Sequence, residues 1–102
     1  MELKETTKLN GIRAEILVGL IVAEGVYEDF GYGMVVTSVT DSKHSAGSLH
    51  YAGCAIDLRT RDIKDKAMII KITETIRKRL TKDYDVVLEK DHIHIEYQPK
   101  YS

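Results

Sequence analysis

The sequence predicts an α+β domain in which helices pack on one face of a small, mainly antiparallel sheet. Two observations predict this class: two stretches of helical periodicity alternate with four short apolar runs, and the elements follow the order α-β-β-α-β-β. The 102 residues are close to the modal size of one domain, so a single domain over 1–102 is expected. The apolar fraction of 43% and the charged fraction of 30% are typical of a globular protein.

The first helix is predicted from apolar residues spaced three and four apart after Asn10, which is a favourable N-cap. Its stripe comprises Ile12, Ile16, Leu17, Leu20 and Ile21. Gly25 and the cluster at 31–33 predict the end of the helix and a turn. Residues 1–10 are polar, so a loose arm or a short turn is expected there.

Four apolar or β-branched runs predict strands, at residues 34–37, 54–58, 84–88 and 92–97. Residues 38–53 have no periodicity and predict a functional loop. A second helix is expected before the third strand, with Thr60 or Asp62 as its cap. Its apolar stripe comprises Ile63, Ala67, Ile70, Thr73, Ile76 and Leu80. Residues 89–91 predict a hairpin turn.

Charge and cysteine content exclude several classes of protein. The net charge of -1 and the pI near 6.4 do not indicate a nucleic-acid partner. A single cysteine, Cys54, excludes an internal disulfide framework and a cysteine-based zinc finger. No apolar run is long enough to predict membrane insertion, and the N-terminus lacks the apolar core of a signal peptide. We therefore expect synthesis in the cytoplasm, with any route to the outside supplied by another system.

The chemistry of the chain is concentrated in its histidines. On the last predicted strand, alternation places His92, His94 and Glu96 on one face and the two isoleucines between them on the other. Together with His50 and Asp57, these histidines suggest one mononuclear metal site. Three protein ligands would suit zinc and leave a fourth position for water, whereas a purely structural zinc is expected to take four, with His44 or His92 as the fourth.

The segment from Ser48 to Asp57 also carries a resemblance. Ser48, His50, Gly53, Ala55 and Asp57 match the pattern S-x-H-x-x-G-x-A-x-D of the zinc D-Ala-D-Ala carboxypeptidase and peptidoglycan endopeptidase superfamily, which contains the Hedgehog signalling domain. The similarity runs over residues 35–96 and includes the downstream His-Ile-His. The resemblance implies one Zn²⁺ per chain, bound by His50, Asp57 and His94.

The same resemblance implies further roles in a hydrolase. Glu89 resembles the glutamate that takes a proton from the attacking water, although the spacing common in enzyme members would select Asp91 instead. His92 is expected to stabilise the oxyanion of the tetrahedral intermediate. His44 and Ser48 are the expected substrate contacts.

The expected function is therefore that of a small zinc metallopeptidase acting on peptide bonds of bacterial peptidoglycan, as a carboxypeptidase, an endopeptidase or a phage lysis enzyme. One departure separates this chain from many members: residues 38–42 contain no arginine to bind a substrate carboxylate, and Lys43 is only a point charge. A zinc-stabilised, Hedgehog-like binding domain is the alternative, and hydrolysis of a non-peptide amide is a third interpretation. The acidic calcium cluster of Hedgehog is not reproduced.

Overall fold

The computed structural model describes residues 1–4, 14–41 and 54–98. It confirms an α+β fold with a five-stranded, mostly antiparallel sheet and two helices. The elements, in chain order, are β1 (Glu2–Leu3), α1 (Ala14–Asp29), β2 (Val35–Asp41), β3 (Cys54–Arg59), α2 (Lys66–Arg79), β4 (Tyr84–Leu88) and β5 (His92–Tyr97). The described residues contain no helix with the length and apolarity needed to cross a membrane.

The strands lie in the order β1-β2-β3-β5-β4. β1 pairs with β2 in parallel, and the other three pairs are antiparallel. The expectation of a loose arm or turn was wrong at residues 2–3, because Glu2 and Leu3 pair with Val35 and Val36. β4 and β5 have the predicted bounds, and the amide of Glu89 donates to the carbonyl of His92 across the predicted hairpin turn at 2.8 Å.

Helix α1 contributes its buried side to the core, namely Ile16, Gly19, Leu20, Ala23, Val26 and Tyr27. Helix α1 continues through Gly25 and ends at Asp29, directly before the cluster at 31–33 that was predicted with Gly25 to end it. The turn that follows contains Gly31, which has a φ of 84°. Glycine adopts this conformation readily, whereas other residues are strained in it. Leu17 and Ile21 were predicted in the stripe, yet they are exposed. Asn10 and Ile12 lie outside the described residues.

Helix α2 begins later than predicted. Its N-cap is Asp65, whose Oδ1 accepts from the amide of Ala67 at 2.9 Å, so neither Thr60 nor Asp62 caps it. The buried residues of α2 are Ile72, Thr73 and Ile76, and Ile63 and Leu80 on either side of the helix are buried as predicted. Ala67 and Ile70 were predicted in the stripe, yet they are exposed.

One hydrophobic core forms between the helices and one face of the sheet. Its strand residues include Val36, Ile56, Leu58, Ile93 and Ile95, each at most 1% exposed. The two isoleucines of β5 thus face inward, as strand alternation predicts. The opposite face of the sheet carries half-buried polar side chains, among them Asp57, His92 and His94.

Strand β2 differs from the prediction in its length. It runs to Asp41, so residues 38–41 belong to the sheet and not to an irregular loop. Its pairing with β3 shifts register between Val36 and Ser38, which makes Thr37 the extra residue of a β-bulge. Residues 42–53, the rest of the predicted functional loop, lie outside the described part of the chain.

Candidate metal centre

The open face of the sheet carries three polar side chains from two adjacent strands. Ile56 and Leu58 of β3 are buried, so alternation turns Asp57 to the opposite face. His92 and His94 of β5 occupy that face in the same way. Asp57 and His94 are direct cross-strand partners, and such pairs have their Cβ atoms about 4.5–5.5 Å apart. The sequence therefore fixes their proximity once the two strands are paired.

These three side chains form a cluster in which one ligand atom of each lies within 4.8 Å of the other two. His94 Nδ1 is 2.7 Å from Asp57 Oδ1, and His92 Nε2 is 3.5 Å from the same oxygen. All three side chains are between 26% and 29% exposed, so a ligand can reach them from solvent. Among the described residues, this is the one group of at least three such side chains with metal-binding spacing.

The donor set fits a divalent ion of the zinc type. Metal–ligand bonds of about 2.0–2.2 Å in tetrahedral geometry place two ligand atoms about 3.4 Å apart. The 3.5 Å between His92 Nε2 and Asp57 Oδ1 is close to this ligand–ligand distance. The contact between His94 and Asp57 is a hydrogen bond, which has to open by well under 1 Å. Two imidazoles and one carboxylate therefore can hold the ion with a small rearrangement.

Each histidine ring is also held on its second nitrogen by another carboxylate. Glu96 Oε1 lies 3.2 Å from His94 Nε2, and Asp91 Oδ1 lies 2.7 Å from His92 Nδ1. Partners of this kind fix the tautomer and the orientation of a metal-binding histidine. The roles of Glu96 and Asp91 as orienting partners were not predicted, although the alternation of His94 and Glu96 on one strand face was a usable signal.

The charges around His94 shift its proton affinity. Partial burial lowers the pKa of the His94 imidazole, but hydrogen bonds to Asp57 and Glu96 outweigh it, so that its pKa lies above the usual value. For Asp91, the hydrogen bond with His92 is the largest cause, and it lowers the pKa of that carboxyl. Because a metal-binding imidazole nitrogen must be free of its proton, the raised pKa of His94 makes metal binding there weaker at low pH.

Glu89, the predicted base, lies at the hairpin turn and is exposed. Its backbone pairs with His92, but its carboxylate is not among the clustered ligand atoms. It borders a cavity of about 260 Å³ that Ile69 and Ile70 of α2 also line. Its role as the base stays a prediction.

Three predicted site residues lie outside the described part of the chain, namely His44, Ser48 and His50. Of the predicted ligand set, the structure thus brings together Asp57 and His94. It adds His92, which was predicted to act on the substrate, as a neighbour of both.

The open face carries charge in three rows that run across the strands. The first row, here called the basic row, consists of Lys4, Thr37, Arg59 and His92, which line one cavity. The second consists of Asp57 and His94. The third, the acidic row, consists of Asp85 and Glu96, which are cross-strand partners. Neighbouring rows are two residues apart along a strand, or about 7 Å.

Comparison of the chain with protein-family models, with curated proteins and with solved structures yields no match. What this centre does is therefore inferred from its residues. Two imidazoles, a carboxylate between them and two orienting carboxylates are a suitable set for a Lewis-acidic metal ion that is accessible to a ligand.

Proposed function

We propose that the protein is a zinc-dependent hydrolase of peptide bonds, and that its substrates are the peptides of bacterial peptidoglycan. The observation that carries the proposal is the cluster of Asp57, His92 and His94, in which each ring has a separate carboxylate partner. The motif from Ser48 to Asp57, with its likeness to the zinc carboxypeptidase and endopeptidase superfamily, supplies the substrate class. Asp57 and His94 would hold the zinc ion, which when bound would supply a Lewis acid for a carbonyl and for water.

The residues at the candidate centre have separate roles in the proposed hydrolysis. Asp57 and His94 bind the ion, and Glu96 keeps the His94 ring oriented. Glu89 takes a proton from the attacking water and returns it to the leaving amine. His92, with its Nδ1 held by Asp91, has its Nε2 on the side of Asp57, where an N–H donor would stabilise negative charge on the carbonyl oxygen.

The decisive experiment measures zinc content and muropeptide release for the same preparations. The wild-type chain is expected to bind one zinc ion and to release muropeptides from purified peptidoglycan. His94→Ala should lose both, because it removes a ligand, whereas Glu89→Gln should keep the zinc and lose at least about 100-fold in rate. Glu28→Gln, an exposed carboxylate on α1, is the matched control and should behave as wild type.

The third ligand is identified by one comparison of two variants. If His50 binds the ion, as the motif predicts, His50→Ala loses zinc while His92→Ala keeps zinc and loses activity. The opposite pattern would assign His92 to the ligand set, in agreement with its 3.5 Å separation from Asp57.

A zinc-stabilised binding domain is the competing function, and the position of Glu89 outside the cluster favours it. Wild type that binds one zinc ion but releases nothing from several peptidoglycan chemistries would refute the hydrolase and support this alternative. Retained activity in Glu89→Gln with loss in Asp91→Asn would move the base to Asp91.

A further inference from the structure

Strand β2 carries two valines at a spacing that does not fit a regular strand with one apolar face. Val36 and Val39 are three residues apart, so strict alternation would place them on opposite faces of the sheet. Both nevertheless belong to the same side, because Val36 lies in the buried core and Val39 packs against it. The bulge at Thr37 makes this arrangement possible, since the register shifts between Val36 and Ser38.

The same bulge places two hydroxyl side chains next to Asp57. Ser38 is the cross-strand partner of Asp57. Thr37 lines a cavity on the open face that His92 also borders. Its Oγ1 donates a hydrogen bond to the backbone carbonyl of Asp57 at 3.3 Å. The residue that the bulge adds to β2 therefore contacts the residue whose carboxylate oxygen lies near both imidazoles.

We propose that Thr37 is a positioning residue of the candidate metal centre: its hydroxyl holds the backbone of Asp57 so that the carboxylate lies where it can bind a metal ion together with His94. The proposal rests on the metal ion of the proposed function, and it does not depend on peptide hydrolysis. Thr37 acts on the ion only through Asp57.

The pairing of β3 explains why Asp57 needs such a contact. On one side Asp57 pairs in regular register with His94 of β5. On the other side the bulge disrupts the ladder, and the Thr37 hydroxyl supplies a hydrogen bond there. Metal–ligand distances are defined to within about 0.2 Å, and an aspartate has only two side-chain torsions between its backbone and its oxygens. A small shift of the Asp57 backbone is therefore passed on to the ligand atom.

The geometry of the contact sets the size of the expected effect. Its length of 3.3 Å exceeds the usual range of about 2.5–3.0 Å for a hydroxyl donor and an oxygen acceptor. Loss of a direct partner of a metal ligand typically weakens metal binding about 10- to 100-fold. Thr37 contacts the ligand residue through its backbone, so a loss of about three- to tenfold is expected.

Zinc affinity of the folded chain, measured by competition with a chromophoric chelator, tests the role. Thr37→Val removes the hydroxyl, keeps the β-branched shape and should weaken zinc binding about three- to tenfold. Thr37→Ala also lacks the hydroxyl and should show a similar loss, whereas Thr37→Ser keeps the donor and should bind zinc as the wild type does. Thr75→Val is the matched control, because the exposed Thr75 donates to the carbonyl of Lys71 on α2, and its zinc affinity should be unchanged.

The Co²⁺-loaded chain gives a second measurement, because the absorption of this ion depends on the arrangement of its ligands. Thr37→Val should change the spectrum, and Thr37→Ser should not. If Thr37→Val lowers the thermal stability of the metal-free chain but leaves zinc affinity and the Co²⁺ spectrum unchanged, the threonine is only structural and the proposal is overturned. A wild type that binds no divalent ion would overturn it together with the proposed function. Zinc binding that depends on the Thr37 hydroxyl, without any muropeptide release, would support the positioning role and overturn only the hydrolase.

Discussion

A single carboxylate oxygen organises the candidate centre: Asp57 Oδ1 lies within 2.7 Å of one imidazole and 3.5 Å of the other. His94 in turn lies between two carboxylates, those of Asp57 and Glu96. The family resemblance predicted Asp57 and His94 as ligands, and strand alternation predicted the face on which His92, His94 and Glu96 lie. The sequence did not identify Glu96 as a partner of His94, because alternation indicates the face of a side chain and not its rotamer.

The orienting role of Glu96 predicts a defined loss in metal affinity. Glu96→Ala should weaken zinc binding about 10- to 100-fold, because the His94 ring loses the partner that fixes its tautomer and orientation. Glu96→Gln keeps an oxygen acceptor for His94 Nε2 and should show a smaller loss. The measurement is competition with a chromophoric chelator, with Glu28→Ala as control; identical affinities for wild type and Glu96→Ala would contradict the role.

The sequence predicted the bounds of strands well where a turn motif separates them. It predicted them poorly where only pairing with a neighbouring strand defines their ends. β4 and β5 match the predicted residues because the hairpin turn separates two runs of clear alternation. β1 and the second half of β2 were missed, since two residues in a polar segment and a Ser/Thr-rich stretch have little strand signal of their own. Only their pairing with neighbours makes them strands.

Helix α1 offers a matched pair of glycine substitutions. Gly25 lies in the helix interior with nothing within 4 Å of an added Cβ, so Gly25→Ala should raise the free energy of unfolding by about 0.5–1 kcal/mol. Gly31 has a φ of 84° after the helix, so Gly31→Ala should lower the free energy of unfolding by about 1–2 kcal/mol. Urea unfolding measures both. Two changes of the same sign would mean that α1 and its turn have other conformations in solution.

At the scale of the whole molecule, one buried tyrosine joins the first helix to the sheet. Tyr27 on α1 is fully buried, and its hydroxyl donates to the carbonyl of Arg59 in β3 at 3.2 Å. The apolar periodicity that predicts the first helix stops before this residue, and a contact across 32 positions follows only from the packed fold. Desolvation by burial is the main cause that raises the pKa of Tyr27.

This shift predicts loss of stability in alkali. The unfolded tyrosine titrates near its ordinary value of about 10, and the folded one titrates at higher pH, so the folded state binds more protons between the two. The free energy of unfolding should therefore fall as pH rises above about 10. Urea titrations at a series of pH values check this, and Tyr27→Phe should show a smaller fall. The same fall in both proteins would mean that other groups cause the alkaline unfolding.

The three rows on the open face have a consequence for the approach of a ligand. Lys4, Arg59 and Arg61 lie towards one end of the strands and outnumber the neighbouring carboxylates of Asp62 and Asp91. Asp85 and Glu96 lie towards the other end and outnumber the neighbouring cation Arg77. The described part of this face therefore has a partly compensated electric dipole along the strand direction. Such a field orients a zwitterionic peptide before any contact forms and raises its association rate. Ions of the medium shorten the range of that orientation to about 8 Å at physiological ionic strength. For the peptide substrate proposed above, this field would set the direction in which the chain approaches the candidate centre.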